Sequence, residues 1–501
     1  MRVFLICSVL ALTFESCNAG AVQYGFRRMR KQQDMSLEQR NGTITASLGN
    51  VLTEYLMDVT LGSSAQIVQV QLSTGTGDTW VMSASSAYCQ QNACDLISFD
   101  PTQSSSFKPL QFAFNSTYHD GAGSSGIYFA DTLSIGNVAL TGAVLGLANI
   151  TTKSVMGLSF TGNGADSLAG PLPPGYPTIL EQMVTQSKIN SRAFSLWLND
   201  REASAGSILF GAIDTGSFVS PLLSIPMGVS TSIGYRYQFI VGLTSLTETT
   251  PNIVVPYTSG NFSEQVVLDA GAILTVVPDD IFKTFETRYE AAYNSTFGFC
   301  TISCEFMHYQ ASFHFQFGGS AGPLINISLT ELILPEVWTN GTDCAFGILP
   351  AYANNGILVF GDSFLRGAYV VYDLDAMQIS LANTKFNSTG GDVIAIPAGG
   401  AGVSNITPTT TAATTTVSTI VTGVMTAAET SGNFTGGAQN IIGATVTTTE
   451  QEPVSTASSG SAIASPTSGS SRAQARAHGS LGFVAWIGWI DLFMLGFVSL
   501  L

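Results

Sequence analysis

The sequence has few basic residues and few histidines. Its 501 residues include 18 lysines and arginines against 34 aspartates and glutamates, a net charge of −16, and only 4 histidines. A nucleic-acid-binding protein needs a basic surface, so nucleic acid is excluded as a partner. No cysteine–histidine spacing matches a metal site, and we expect neither a metal nor a cofactor. Charged residues make up only 10%, whereas the 51 glycines favour turns and short strands over long helices.

Long apolar runs are confined to the two ends of the chain. One arginine, an apolar run and small residues over 1–19 are typical of a secretory signal peptide. At the other end, 472–501 comprises a polar spacer and an apolar tail, which with the small residues before it predicts a glycosylphosphatidylinositol (GPI) attachment signal. The candidate attachment residues are Ser468, Gly469, Ser470 and Ser471. A single spanning helix is the alternative, but Asp491 within the tail is costly for a permanent span.

Two further segments lie outside the predicted folded part. Residues 20–50 contain the basic run FRRMRKQQ, which predicts either a cleavable pro-segment with a dibasic processing site or a solvated N-terminal extension. Residues 391–471 are rich in Ser, Thr, Gly and Ala, and such a segment cannot bury enough apolar surface to fold. In a secreted protein this composition is typical of an O-glycosylated stalk, with an unglycosylated linker as the alternative.

Cysteines and sequons fit an extracellular protein, because disulfides persist outside the cell. Of the seven cysteines, Cys7 and Cys17 leave with the signal peptide, and the odd number that remains leaves one thiol free or paired elsewhere. Ten asparagines begin an N-x-S/T sequon, which predicts a glycoprotein secreted to the cell surface. They are Asn41, Asn115, Asn149, Asn261, Asn294, Asn326, Asn340, Asn387, Asn405 and Asn433.

The central part of the chain has the pattern of a mostly β protein. In YLMDVTLGSSAQIVQVQLS, two alternating apolar runs flank a Gly-Ser-Ser turn, which predicts a β-hairpin. Two short helices are predicted as well. The first presents Ile179, Leu180, Met183 and Val184 on one face, and the second follows Pro278 and points Ile281, Phe282, Phe285 and Tyr289 inward.

One short pattern occurs once in each half of the chain. The first half has VQLSTGTGDTWV and later SVMGLSF, and the second half has VVLDAGAILTVV and later LVFGDSF. In each half an apolar strand runs into a turn with a glycine at its third position, and an apolar pair before a glycine follows later. The repeat indicates two related lobes.

With this repeat, the chain resembles the pepsin-like aspartic endopeptidases, in particular their fungal, GPI-anchored, yapsin-like branch. The resemblance covers about 51–389 and includes TYHDGAGSSGIYFADTLSIG, YPTILEQMVTQSKINSRAFSLWLND, GSILFGAIDTGSF and FGDSFLRGAYVVYDLD. It implies a mostly β, bilobal pepsin-like fold with two pseudo-symmetric, β-barrel-like lobes, 51–215 and 216–390, a cleft between them and a few short helices. The cleft would hold an extended peptide or protein, and a monomer is expected.

The resemblance also implies roles for residues outside the two turns. Tyr118 corresponds to the tyrosine of the hairpin that covers the cleft (the flap), and Trp80 to the tryptophan that packs against it. Cys89–Cys94 and Cys304–Cys344 resemble the two disulfides of the family. Cys300 is then the odd thiol.

The two turns depart from the family pattern in complementary ways. Each lobe of a family member supplies one aspartate from a D-T/S-G-S/T turn, and the two carboxylates share a proton because like charges so close cannot both ionise. The first turn has Ser73 at the acid position and keeps its hydroxyls, Thr74 and Thr76. The second turn keeps the acid, Asp269, but has Ala270 and Ala272 where hydroxyls are expected. We therefore expect very weak peptidase activity or none, and no neighbouring charge to raise the pKa of Asp269.

Two other ways of supplying the missing catalytic group are not favoured. Asp78 corresponds to an aspartate that faces away from the catalytic pair, and a catalytic group must reach the reacting atoms. Ser73 would need a base to act as a nucleophile, and nothing in the sequence orients the ring of His119, the flap histidine.

Three functions remain open. The chain is a pseudo-peptidase that keeps a peptide-binding cleft, an active aspartic endopeptidase with a degraded pair, or a structural cell-wall glycoprotein. A glycan on Asn115, beside Tyr118, would crowd the cleft and favour the structural role.

Overall fold

The computed structural model describes the two predicted lobes and short stretches before and after them. The described residues are 22–27, 39–40 and 43–44, for which only the backbone is described, and 55–92, 94, 97–117, 123–151, 153–160, 177–203, 205–228, 238–400 and 402–403. None of the helices in this part of the chain is both long and apolar enough to cross a membrane.

The described residues form thirty strands and few helices, as the sequence predicted. The strands of the first half are β1 Val22–Arg27, β2 Gln39–Arg40, β3 Thr43–Ile44, β4 Leu56–Leu61, β5 Gln66–Ser73, β6 Trp80–Ser83, β7 Ser98–Phe99, β8 Lys108–Thr117, β9 Gly123–Ile135, β10 Val138–Ile150, β11 Val155–Gly157, β12 Ala193–Trp197, β13 Ala205–Phe210 and β14 Ala212–Asp214. Those of the second half are β15 Phe218–Pro226, β16 Ile240–Thr249, β17 Val254–Pro256, β18 Glu264–Leu268, β19 Thr275–Val277, β20 Ala292–Asn294, β21 Phe299–Ser303, β22 Ser312–Phe317, β23 Leu324–Ser328, β24 Ile333–Thr339, β25 Asp343–Phe346, β26 Ile348–Pro350, β27 Val359–Phe360, β28 Ala368–Asp373, β29 Gln378–Thr384 and β30 Val393–Ala395. The α-helices are α1 Ile179–Thr185, α2 Asp279–Tyr289, α3 Leu329–Leu332 and α4 Asp362–Leu365.

The largest sheet joins strands from both halves of the chain. Its order is β15-β29-β28-β12-β13-β1-β4-β5-β11-β6-β10-β9-β8, with β7 beside β6. A second sheet, β23-β22-β16-β18-β27-β19-β26 with β17 beside β16, belongs to the second half alone, as does the four-stranded sheet β20-β21-β25-β24. The strands β12, β13, β28 and β29 therefore connect the lobes, and the predicted boundary at 215/216 lies between β14, which forms a separate two-stranded sheet with β30, and β15, the first strand of the shared sheet.

The predicted hairpin and helix faces are confirmed, except that in α1 Val184 is only half-buried and Gln182 is buried. Strands β4 and β5 pair in antiparallel register, and their alternating apolar side chains are buried: Met57, Val59, Leu61, Val68, Val70 and Leu72. Burial of each contributes about 1.5–3 kcal/mol. Helix α1 begins with a capping box between Thr178 and Glu181. The buried face of α2 consists of Ile281, Phe282, Phe285 and Tyr289, as predicted.

The folded part extends past both predicted limits. Strand β1, within the predicted N-terminal extension, pairs over its whole length with β13 and contacts β4 through Arg27. Beyond residue 390, β30 pairs with β14, and Ile396 and Val403 are buried. The stalk therefore cannot begin at 391, because these apolar side chains complete a core in a stretch whose composition suggested none.

Candidate active site

The same arrangement of four paired strands, called here a strand crossing, occurs in each lobe and brings the two turns together. In the first lobe, β11 runs parallel to β5 and antiparallel to β6, and β6 runs parallel to β10. In the second lobe, β27 runs parallel to β18 and antiparallel to β19, and β19 runs parallel to β26. Ser73 ends β5, and Asp269 directly follows β18. The repeat found in the sequence is therefore a repeat of structure.

Glycines allow these crossings to be tight. A Cβ on Gly157 would lie 2.2 Å from the carbonyl oxygen of Asp78, and one on Gly361 would lie 2.6 Å from that of Leu274. Asp78 and Leu274 occupy the same position in their lobes, five residues after Ser73 and Asp269. Since real Cβ atoms do not approach backbone so closely, both positions require glycine.

The side chains of Ser73 and Asp269 face each other's turns. A Cβ on Gly75 would lie 2.4 Å from Asp269 Oδ2, and a Cβ on Gly271 would lie 2.7 Å from Ser73 Oγ. Each turn thus places its glycine against the side chain that begins the other turn. The structure brings Ser73 and Asp269 together in the arrangement that the resemblance implied for two acids.

Thr74 links the turns from one side only. Its hydroxyl donates to the carbonyl of Leu268 at 2.9 Å and accepts the N–H of Ala270 at 3.0 Å. The equivalent residue of the second lobe is Ala270 itself, whose methyl group has no hydrogen bond to return. At this point the Thr74 hydroxyl therefore connects the two turns, and Ala270 makes no equivalent side-chain hydrogen bond in return.

Backbone donors surround the remaining acid. Asp269 Oδ1 accepts the N–H of Gly271 at 2.7 Å and that of Thr74 at 3.1 Å, and the Thr74 hydroxyl lies 3.3 Å away. Burial is the largest influence and raises the pKa of Asp269, while these donors and the N–H of Gly75 oppose it. The pKa of Asp269 is therefore raised even without a second carboxylate beside it, because desolvation disfavours the ionised form as a neighbouring like charge would.

Ser73 has a hydroxyl but no described base. Its Oγ accepts the N–H of Gly75 at 3.2 Å, and its carbonyl accepts the N–H of Leu158 at 2.9 Å. Within the described residues, His314 bonds to Thr249 and Asn326, and no histidine bonds to Ser73. His119, the flap histidine, lies outside the described residues.

The outer positions of the turns differ too. The Thr76 hydroxyl accepts the N–H of Asp78 at 3.2 Å, and Asp78 is fully buried. Ala272 has only its backbone for bonding, and its carbonyl accepts the N–H of Asp362 at 2.8 Å. Gln71, buried on β5, is a contact that the sequence reasoning missed: its Nε2 lies 3.5 Å from the carbonyl oxygen of Gly271. The alternation of β5 places Gln71 on the face opposite Val70 and Leu72, so no signal in the sequence indicates that it is buried.

Trp80 lies beneath the surface. It is fully buried, its ring packs 5.5 Å from that of Phe114, and its indole N–H donates to the carbonyl of Lys153 at 3.1 Å. Trp80 therefore packs against β8, the strand that leads into the predicted flap. Tyr118, its expected partner in the flap, lies outside the described residues.

The cysteines pair as the resemblance implied. Disulfides join Cys89 to Cys94 and Cys304 to Cys344, and Cys300 is a buried free thiol. In the described part of the chain, no group of three or more His, Cys, Asp or Glu side chains is placed to hold a metal ion. The GPI candidates Ser468–Ser471 lie outside the described residues.

Two lobes of β-structure whose equivalent turns meet face to face define a pepsin-like protein. The family model for eukaryotic aspartyl proteases matches residues 54–384. This chain therefore belongs to the eukaryotic aspartyl protease family.

Curated relatives and solved structures agree with this assignment. The chain is 34% identical to the probable aspartic-type endopeptidase opsB of Aspergillus fumigatus, over 75% of this chain and 78% of the relative. It is 31% identical to aspartic proteinase yapsin-3 of Saccharomyces cerevisiae, over 73% of each chain. It is 30% identical to secreted aspartic protease 8 of Candida albicans, over 70% of this chain and 81% of the relative. The crystal structure of the aspartic proteinase from Irpex lacteus superposes with a TM-score of 0.53 at 19% identity, covering 68% of this chain and 97% of that one, and so shares its fold.

Proposed function

We propose that this protein is a cell-surface pseudo-peptidase, which binds extended peptides between its lobes and hydrolyses them very slowly or not at all. The observation that carries the proposal is Ser73. It occupies the position that faces Asp269 across Gly271, where the mechanism of the family needs a second carboxyl group. A serine hydroxyl does not ionise at a working pH, so only one of the two groups can move a proton from an attacking water.

Secretion and a GPI anchor belong to the same proposal. They are supported by the signal-like residues 1–19, the terminal pattern 472–501 and the names of two relatives, a secreted aspartic protease and a yapsin. The protein would then act at the plasma membrane or in the cell wall as a monomer. Phospholipase release of the protein from intact cells tests the anchor, and retention on the cells after phospholipase treatment contradicts a membrane-held GPI anchor.

Cleavage of a diverse peptide pool by the purified secreted protein tests the proposal. The assay covers about pH 3 to 6, where a carboxylate pair works, and includes Asp269→Asn as control. We expect very slow turnover or none in the unchanged protein, with peptide binding measured separately on the same pool in both proteins. Turnover as fast as that of an active aspartic endopeptidase, lost in Asp269→Asn, would overturn the proposal.

An active endopeptidase is the second candidate. It is favoured by the retention of Asp269 in a shell of backbone donors, with its pKa raised by burial, and by relatives that are named endopeptidases. In that case Asp269 acts alone on a water held near Ser73. The same assay distinguishes the candidates, because only this one predicts turnover at the rate of an active endopeptidase, lost in Asp269→Asn.

A further inference from the structure

The pair formed by Ser73 and Asp269 has one ionisable group where family members have two. Two carboxyl groups that share a proton keep one negative charge between them. Ser73 has no charge, and burial raises the pKa of Asp269, which favours its neutral form. Tyr372 of β28 interacts with Asp269 and with Asp362 of α4, and burial raises the pKa of its phenol, so that Tyr372 stays neutral as well. Below the raised pKa of Asp269, the pair therefore carries no charge.

Both members of the neutral pair have a hydrogen to donate. Asp269 Oδ1 accepts the N–H of Gly271 at 2.7 Å and that of Thr74 at 3.1 Å, so the proton of the neutral acid belongs on Oδ2. Ser73 Oγ accepts the N–H of Gly75 at 3.2 Å, and its own hydrogen has no acceptor among the described residues. The two hydroxyl hydrogens therefore suit a ligand that offers acceptor oxygens.

The two side chains border the same point. A Cβ on Gly271 would lie 2.7 Å from Ser73 Oγ and 3.1 Å from Asp269 Oδ1, and a Cβ on Gly75 would lie 2.4 Å from Asp269 Oδ2, so glycine leaves these oxygens uncovered. Ser73 ends at its hydroxyl oxygen, whereas an aspartate there would continue with a carboxyl group. Asp269, Gly75 and Gly271 are each partly exposed, so a ligand can reach them. The position that lacks a carboxyl group is therefore accessible to one from a ligand.

We propose that the cleft retains peptides that have already been cleaved, with their free C-terminal carboxylate bound between Ser73 and Asp269. The Ser73 hydroxyl and the Oδ2–H of Asp269 each donate to an oxygen of this carboxylate, and the ligand supplies the second carboxyl group of a proton-sharing pair. Hydrogen bonds from an O–H group to a carboxylate are short and strong. A pair that keeps a negative charge repels the same ligand, so an active peptidase releases what this site holds.

The ligand class follows from this arrangement. An uncleaved peptide offers the pair one neutral carbonyl oxygen, whereas a cleaved peptide offers two oxygens that share a charge. Such a ligand is the product of peptide-bond hydrolysis, so another peptidase must supply it. The inference rests on the proposed function, because it names the peptides that the cleft binds.

Two synthetic hexapeptide libraries provide the first test. They contain no Asp or Glu and differ only at the C-terminus, which is a free acid in one library and an amide in the other. Each is passed over the immobilised secreted protein at about pH 4.5, where a peptide terminus is ionised, and retained peptides are quantified by mass spectrometry. We expect about tenfold tighter retention of the acids, since charge-assisted hydrogen bonds are roughly twice as strong as neutral ones.

The outcomes separate this inference from the proposed function. Equal retention of the two libraries would overturn the inference and leave peptide binding in place. Retention of neither library would overturn the inference and the peptide binding of the proposed function together.

The pH profile tests whether Asp269 is the partner of the carboxylate. A peptide terminus ionises at about pH 3.3 to 3.7, and Asp269 ionises at its raised pKa. Retention of the acid library should be highest between these two values and should fall above the second, where two anions meet. Asp269→Asn stays neutral, so its retention of the acids should not fall there. The same fall in both proteins would overturn the inference.

Ser73→Asp is the control of opposite sign. Its two carboxyl groups share one proton and keep a negative charge, so we expect the preference for acids over amides to disappear. Ser73→Asn, similar in size but without a charge, should keep that preference. Because Ser73→Asp gains the means to cleave the probes, only peptides recovered at full length are counted. An undiminished preference for acids in Ser73→Asp would overturn the inference.

Discussion

The turns of the two lobes have the same backbone arrangement but different side-chain chemistry. Both follow a strand of the same crossing, and both press a glycine against the side chain that begins the other turn. The first turn, 73–76, has side-chain hydroxyls and no acid, whereas the second, 269–272, has an acid and no side-chain hydroxyl.

The difference separates what the fold requires from what catalysis requires. A Cβ on Gly157 or Gly361 would collide with backbone, so the fold itself demands these two glycines, whereas a Cβ on Gly75 or Gly271 would meet only side chains of the two turns. The side chains at 73, 270 and 272 are under no such requirement for glycine, although Ser73 and Ala270 are buried. The residues found at these three positions are therefore compatible with the architecture.

Ser73→Asp removes the main difference between the turns and has the largest expected effect. A second carboxyl group would face Asp269, and the two would share a proton. We expect peptidase activity to rise on the order of 10³-fold, since loss of one member of a catalytic unit costs at least that much. Peptide cleavage at about pH 3 to 6 measures it. Ser73→Asn, similar in size but unable to ionise, is the control, and equal activity of the two variants would contradict the role given to position 73.

Thr74→Val breaks the one-sided connection between the lobes. The change leaves the N–H of Ala270 and the carbonyl of Leu268 buried without their partner, which costs about 2–4 kcal/mol of unfolding free energy. Ala270→Thr would add the missing hydroxyl on the other side, and we expect a gain of at most about 1 kcal/mol. Urea unfolding measures both. If Thr74→Val lowers the unfolding free energy by no more than Ala270→Thr raises it, the one-sided hydrogen bonding of Thr74 does not contribute measurably to stability.

Alanine substitutions at Gly75 and Gly271 compare how rigidly the facing side chains, Asp269 and Ser73, are held. Gly75→Ala would collide with the Asp269 carboxylate, which several donors hold in place, and we expect a cost of about 1–3 kcal/mol. Gly271→Ala meets mainly Ser73, whose hydroxyl can rotate, and its cost should be about half as large. Thermal unfolding of both variants decides. A larger cost at Gly271 would mean that Ser73 is held more rigidly than Asp269.

The pH dependence of stability has the smallest expected effect. Burial raises the pKa of Asp269, so its ionised form is disfavoured in the folded state. The stability linked to this group is complete below its ordinary pKa of 3.8 and is lost as the pH rises through the raised value. Asp269→Asn cannot ionise and should gain melting temperature relative to the wild type over this range.

Asp375 provides a control of opposite sign. Burial raises its pKa, but the hydrogen bonds and charge of Arg192 outweigh burial and hold it below the ordinary value. Asp375→Asn should therefore be less stable than the wild type near neutral pH, with a gap that narrows as the pH falls through the lowered pKa. Two variants with parallel pH profiles would refute the assigned causes.

Much of the site followed from the sequence because its signals are local. The alternation in β4 and β5, the inward face of α2 and the glycine of each turn are all set by neighbouring residues. The resemblance, with one apolar pair before a glycine in each half, then placed Ser73 against Asp269.

The rest depended on contacts between distant residues. The burial of Trp80 and the donation of its indole to Lys153 result from packing against β8. Strand β30 and the buried Ile396 and Val403 lie in a stretch whose composition indicates a linker, and only their pairing with β14 and its neighbours reveals a core. Desolvation of Asp269 is likewise a property of the closed fold.

The pairing of β1 with β13 constrains the order in which this protein can fold during synthesis. Residues 22–27 pair with 205–210, so the partner of β1 leaves the ribosome only after some 180 further residues have been synthesised. Until then the first strand has no full-length neighbour, and closing so long a loop is slow. The sheet that joins the lobes can therefore be completed only late in synthesis, and a chain interrupted before β13 would release its earliest strand unpaired.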